Sequence, residues 1–210
     1  MTRPLVKLSM RGGTLELWAK SAYEVQSVCG DDTIGFAFET QSGVDAIGAG
    51  KKQAFRRQAN TLSWIPRGCP VFSCSEEGGE YLVIQGVSAA MVAHPDAARR
   101  PLNAIVDAEA VHAAYLLRRL AVTEMMASAV KASGVGKCSE VQNKTSGSAG
   151  QNDEGGDRRQ AFVSALDILS ATLLHHFDSK RPVTPWITGA RLAVIDRFID
   201  QHMHESLTIG

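Results

Sequence analysis

A change of hydrophobic period near Pro101 constrains this chain more than any other feature, because short alternating segments precede it and long segments of helical spacing follow it. Period two sends side chains to opposite faces of a strand, whereas i, i+3, i+4 spacing draws one stripe along a helix. Residues 33–40 show the first pattern, with Ile34, Phe36 and Phe38 on one face and Gly35, Ala37 and Glu39 on the other. Residues 14–20 alternate as well, and 44–47, 53–58, 61–65, 70–75 and 80–87 complete a set of seven predicted strands. Turn residues punctuate them at 29–32, 48–51, 66–68 and 76–79. Short strands at such spacing predict a β-barrel or sandwich.

Beyond Pro101, Asp107 is an N-cap for a helix over 108–131 that runs through Val111, Tyr115, Leu120 and Met125. Residues 133–157 are rich in Gly, Ser, Asn and Lys. They carry too little apolar surface to offset their ordering entropy, which predicts a disordered loop. Asp157 then caps a second helix whose apolar side is Phe162, Leu166, Leu169, Leu173 and Phe177. Pro182 and Pro185 break it and mark a linker over 180–188. In the tail, Leu192, Ile195, Phe198, Ile199 and Met203 form another helical stripe, and Thr208 is placed to cap a further helix.

The tail from Trp186 to Gly210 resembles the opening of the DNA-binding domain in the AraC/XylS family of bacterial transcription regulators. An apolar-periodic helix ends in Met203-His204-Glu205-Ser206-Leu207-Thr208-Ile209, in the order and spacing of that family's first helix. Residues 61–70, Thr-Leu-Ser-Trp-Ile-Pro-Arg-Gly-Cys-Pro, resemble the strand, Pro-x-Gly turn and strand of the cupin barrel that senses effectors in the family. The resemblance implies an α+β chain: a cupin-like β-barrel over 1–103 that binds a small-molecule effector, a two-helix dimerisation region over 104–179, and the incomplete start of a helix-turn-helix domain over 189–210. It also implies a homodimer whose contacts draw on Val111, Tyr115, Arg118, Arg119 and Leu120. DNA is then a partner only of a longer chain carrying the complete helix-turn-helix domain.

Composition fits that division of labour. Lys+Arg and Asp+Glu are 22 each, so no global positive field recruits nucleic acid. No apolar run reaches membrane-spanning length and the N-terminus lacks a leader pattern, so a cytoplasmic protein without a membrane partner is expected. Cys29, Cys69, Cys74 and Cys138 form no Cys-x-x-Cys pair and read as reduced thiols, with Cys69 and Cys74 as the candidate redox pair.

Catalytic and metal chemistry find few carriers. Cupin enzymes hold a metal through strand histidines, but no histidine precedes His94, and Val71 stands where one would follow the Pro-x-Gly glycine. His202 and His204, two apart on a helix, point about 200° apart and cannot chelate together. No Gly-x-Ser-x-Gly elbow, Walker loop or dinucleotide fingerprint occurs, so no cofactor and no catalytic residue is expected. Binding is better served, since an aromatic-lined barrel with a few polar groups makes a small-molecule pocket. Its candidate liners are Trp18, Phe36, Phe38, Phe55, Trp64, Phe72 and Tyr81. Arg56 is the candidate for a carboxylate contact, in a basic patch with Lys51, Lys52 and Arg57; alternation allows at most one of the two arginines inside. The rival readings are a metal-free cupin-like isomerase or lyase using Glu39, Glu80 or Tyr81, and a standalone small-molecule-binding dimer.

Overall fold

A computed structural model describes residues 3–10, 13–48, 50–86, 91, 93–97, 100–132 and 154–178. Met1–Ser179 forms one compact unit; Lys180–Gly210, which holds the predicted linker and the tail helix, lies outside the described residues, as does 133–153 of the predicted loop.

Ten strands occur among the described residues: β1 Val6–Met10, β2 Gly13–Trp18, β3 Tyr23–Val28, β4 Thr33–Ala37, β5 Gln41–Ile47, β6 Gln53–Arg57, β7 Thr61–Ile65, β8 Pro70–Ser75, β9 Tyr81–Gln85 and β10 Leu102–Ile105. Two helices follow, α1 Ala108–Ala132 and α2 Glu154–Asp178. One sheet runs β1-β2-β9-β4-β7-β10 and the other β3-β8-β5-β6, with every pairing antiparallel. Strands β2 to β9 thus divide between two four-stranded halves, with only β5 and β6 consecutive in one sheet, in the order of a double-sheet jelly roll, and β1 and β10 are added at the edges of the first sheet. The strand region is therefore a pair of facing sheets and not a closed barrel, and β1, β3 and β10 add to the seven strands expected.

The first sheet has an apolar outer face. Register puts Leu15, Leu17, Ile34, Phe36, Leu62, Trp64, Leu82 and Ile84 on that face, and all are buried in one cluster with residues of α1 and α2. Ala110, Ala113, Ala114 and Ala121 of α1 are buried there, small enough to let the helix approach closely. Its N-terminus is capped as the sequence predicts, the Asp107 carboxylate accepting from the Ala110 amide at 2.9 Å. Helix α2 begins at Glu154, three residues before the expected cap at Asp157. Burial of Phe162, Leu166, Leu169, Leu173 and Phe177 against the same cluster holds it in place.

The turn between β7 and β8 depends on one glycine. Gly68 has φ +79°, and the Cys69 amide donates to Pro66 O at 3.1 Å, a type II turn. A Cβ on Gly68 would meet nothing within 4 Å, so the cost of a side chain is backbone conformation alone. Gly68→Ala is expected to lose about 1–2 kcal/mol in urea unfolding; an unchanged midpoint would mean that the turn relaxes freely.

Candidate functional site between the sheets

The inner face of the first sheet is its polar one. Alternation places Trp18, Gly35, Ser63 and Tyr81 there, opposite to the helix-covered face. The second sheet answers with Tyr23, Gln41, Asp45, Phe55, Arg57 and Ser73, which share a face by register. That the two faces oppose each other follows from contacts across the gap. The Arg57 guanidinium on β6 lies 5.5 Å from the Tyr81 ring on β9, and also 5.0 Å from the Phe55 ring beside it.

Gly35 makes room for this arrangement. A Cβ there would sit 2.1 Å from Tyr81 Oη and 2.6 Å from Ser63 Oγ. The tyrosine therefore leans over β4, its hydroxyl 2.9 Å from Ser63 Oγ. Ser63 gives its single proton to Gly35 O, so Tyr81 donates to Ser63. Tyr23 forms a second hydroxyl group in the gap, donating to Gln41 Oε1 at 3.3 Å with Ser73 Oγ at 3.1 Å. Burial pushes its phenol above the ordinary tyrosine range, so the hydroxyl stays neutral.

Arg57 is the charge at the centre. Its side chain is 14% exposed, and the carboxylate paired with it, Asp45, lies 3.8 Å away with a side chain 10% exposed. That distance exceeds a charge-assisted hydrogen bond, so the guanidinium is attracted without being saturated. The Trp18 indole N–H is also buried and has no hydrogen-bond partner among the described residues. It stands opposite Tyr81 in the β2–β9 ladder. Buried donors are ordinarily paired. Arg57 and Trp18 therefore flank Tyr81 with donor capacity that suits an oxyanion.

Asp45 competes with such a ligand. Burial raises its carboxyl above the usual range, and the Arg57 charge lowers it in part. A raised folded pKa makes the protonated form the one that the fold favours; its stabilising contribution is present in acid and lost as pH rises through the folded pKa. As pH falls toward that value Arg57 loses its competitor, so a carboxylate ligand that stays ionised should bind more tightly. Asp45→Asn should tighten binding at neutral pH by about tenfold, or ~1.4 kcal/mol, and flatten the acid side of the profile. Titration calorimetry from acid to neutral pH reads both effects; a weaker ligand in acid would contradict them.

The structure separates the residues singled out from the sequence. Trp18, Phe55 and Tyr81 share the gap. Phe36 and Trp64 face the helices, each 1% exposed. Phe38 is buried against Phe36 and the α1 residue Tyr115, with ring centroids 5.1 Å apart in both pairs. Phe72 lies on the outer face of the second sheet under Lys52, whose Nζ is 3.4 Å from its ring. Arg56 is exposed on that outer face, and its neighbour Arg57 turns inward. The carboxylates named for acid–base work are engaged elsewhere: Glu80 pairs with Arg118 at 2.8 Å and Glu39 with Lys20 at 3.7 Å. On α1, Val111 and Leu120 pack on the core, Tyr115 lies against Phe38 and donates to Asn60 Oδ1 at 3.2 Å, and Arg119 is exposed. Tyr23, Gln41 and Asp45 escaped sequence reasoning, and Arg57 was named only as the alternative to Arg56, since alternation admits a single member of that pair.

An open depression lined in part by Tyr23, Glu24, Glu76 and Glu77 presents carboxylates and suits no anion. Among the described residues no three of His, Cys, Asp and Glu converge as a metal site, and no helix is long and apolar enough to cross a membrane.

No protein-family model matches the chain, and no curated protein does. Among solved structures, part of the chain is similar to a protein from Neisseria meningitidis, with 18% identity over 38% of this chain and 78% of that one, at a TM-score of 0.29. It is also similar to a cupin-2 domain containing protein from Shewanella frigidimarina, 20% identical over 40% and 78% of the two chains, TM-score 0.31. For oxalate decarboxylase from Bacillus subtilis the identity is 13% over 40% and 28%, TM-score 0.26. Strand order gives the description that the fold supports by itself: the first part of this chain is a double-sheet jelly roll, the architecture that cupins share with other families.

Proposed function

We propose that this chain is the effector-sensing and dimerising part of an AraC-type transcription regulator, and that its effector is a small carboxylate seated between the two sheets. The observation that carries the ligand class is Arg57, a half-buried and unsaturated guanidinium near the Phe55 and Tyr81 rings. A planar carboxylate fits such a fork through two parallel hydrogen bonds. The jelly roll followed by a pair of long helices, and the resemblance of residues 186–210 to the family's first DNA-binding helix, support the regulator reading. Exposed Arg119 and Met126 on α1 offer a surface for a second copy. DNA would be read by a longer chain with a complete helix-turn-helix domain, and the effector would shift its activity only as far as it binds two arrangements with different affinity.

A thermal-shift panel of small carboxylates, neutral sugars and inorganic phosphate tests the ligand class. A matching carboxylate at a hundredfold excess over its Kd should raise the midpoint by about 5–10 °C. Stabilisation by sugars alone would reject the carboxylate. The second reading, a metal-free enzyme, is favoured by one observation: the raised carboxyl of Asp45 shares the gap with the Tyr23 hydroxyl, and perturbed groups cluster at catalytic sites. Consumption of a stabilising carboxylate during prolonged incubation would promote that reading.

A further inference from the structure

Among the described residues, the cysteines that the fold brings together are Cys29 and Cys69, not the Cys69–Cys74 pair that the sequence suggests. Cys29 follows β3 and Cys69 precedes β8, where these strands extend their antiparallel ladder by one step beyond Val28 and Pro70. The Cys29 amide donates to Cys69 O at 3.0 Å, and the Gly68 amide donates to Cys29 O at 2.8 Å. With Gly68 at φ +79°, this is a G1 bulge in which Cys69 stands directly opposite Cys29. Directly opposed residues have Cα atoms about 4.5–5.5 Å apart, within the span of about 4.4–6.8 Å that a disulfide bridges. Alternation from Ser27 and Val71 puts both side chains on the inner face of the second sheet. Cys74, on β8, falls on the outer face with Phe72.

We propose that Cys29 and Cys69 form a reversible disulfide on exposure to a peroxide, a modification that staples one end of the jelly roll. Cys29 is half-buried and Cys69 buried, so Cys29 is the thiol that meets the oxidant. Its sulfur attacks a peroxide oxygen, the O–O bond breaks, and a sulfenic acid and one water result. The Cys69 sulfur then displaces the sulfenic oxygen, which leaves as a second water. The balance is two thiols and one hydrogen peroxide giving one disulfide and two waters; the sulfurs lose two electrons and the peroxide gains them.

Further physical consequences follow from the surroundings. Burial raises the Cys29 thiol above its usual range, and the neighbouring Cys69 adds to this. Thiolate is therefore scarce at neutral pH, and cross-linking is slow there and accelerates as pH rises. Poor thiolates are also poor leaving groups, so the bond resists reduction once formed. The bridge closes the long segment between β3 and β8, and the oxidised protein melts at a higher temperature than the reduced one. None of this rests on the carboxylate reading, since the pair lies at the end of β3 remote from Tyr23.

The test is peroxide treatment of the folded protein, alkylation with N-ethylmaleimide, digestion without reductant and mass spectrometry. The expected product is a peptide pair joined through Cys29 and Cys69, with two alkylatable thiols lost and both restored by dithiothreitol. It should persist in Cys74→Ser/Cys138→Ser and disappear in Cys29→Ser and Cys69→Ser. Should Cys69→Ser fail to fold, Cys29→Ser and the double variant still decide the matter. Thiols that stay alkylatable, irreversible oxidation of Cys29 with no link, or a bridge to Cys74 or Cys138 would overturn the proposal.

Discussion

Trp64→Ala is expected to destabilise the protein by about 3–5 kcal/mol, close to the whole stability of many domains. Trp64 is 1% exposed on β7, opposite Ile34 of β4 and Leu102 of β10, within the cluster that joins the first sheet to both helices. Its indole N–H donates to Ala97 O at 2.8 Å, tying down the segment between β9 and β10. Alanine would leave a cavity and deprive that carbonyl of its donor. Trp64→Phe keeps most of the volume and loses the hydrogen bond, so a smaller loss of about 1–3 kcal/mol is expected. Urea unfolding reads both. Neither variant should alter carboxylate affinity measured well below its melting temperature, because Trp64 faces away from the gap. A Trp64→Phe protein of unchanged stability and altered affinity would contradict that placement.

The second large effect concerns Arg57. Arg57→Gln should weaken carboxylate binding by about 2–5 kcal/mol, roughly 30- to several-thousand-fold, because it removes the cation from a half-buried setting and leaves the ligand's charge unpaired beside Asp45. Arg57→Lys restores charge but not the planar fork, so recovery should be partial. Arg56→Gln, one residue away on the outer face, should leave the affinity unchanged. Equal losses at both positions would point to a diffuse surface effect, and loss at Arg56 alone would reverse the inside and outside of β6.

Much of the fold was legible because one strong pattern dominates it. Residues 61–65 and 70–75 emerge as β7 and β8 with the expected bounds, and Asp107 caps α1 through its own carboxylate. Strand β3 was hidden because its valines do not mark a buried face: Val25 is 45% and Val28 65% exposed. Strand β10 is four residues long and its register breaks, with Ala104 at φ +58°. At α2, the poor helix formers Gly155 and Gly156 masked a start at Glu154.

The site was less legible for a reason of layering. The apolar faces of β4 and β7, with Ile34, Phe36, Leu62 and Trp64, look like a barrel lining. In this chain they form the outer face, because α1 and α2 cover that sheet and make its outside the principal core. The gap between the sheets is left to the opposite parity, where Gly35, Ser63 and Tyr81 meet Tyr23 and Arg57. A period of two reports that two faces exist, and a partner layer decides which is which. The same ambiguity, one residue wide, separates Arg56 from Arg57.

The measurement closest to the central claim is nuclear magnetic resonance of the arginine side chains, with 15N label, as a stabilising carboxylate is added. The Arg57 Nε–H resonance, assigned by its loss in Arg57→Gln, should shift strongly and become protected from exchange with water, together with the Trp18 indole N–H; the Arg56 resonance should stay in place. Shifts confined to Arg56 and the outer face of the second sheet, with Arg57 and Trp18 unmoved at saturation, would contradict a ligand site between the sheets.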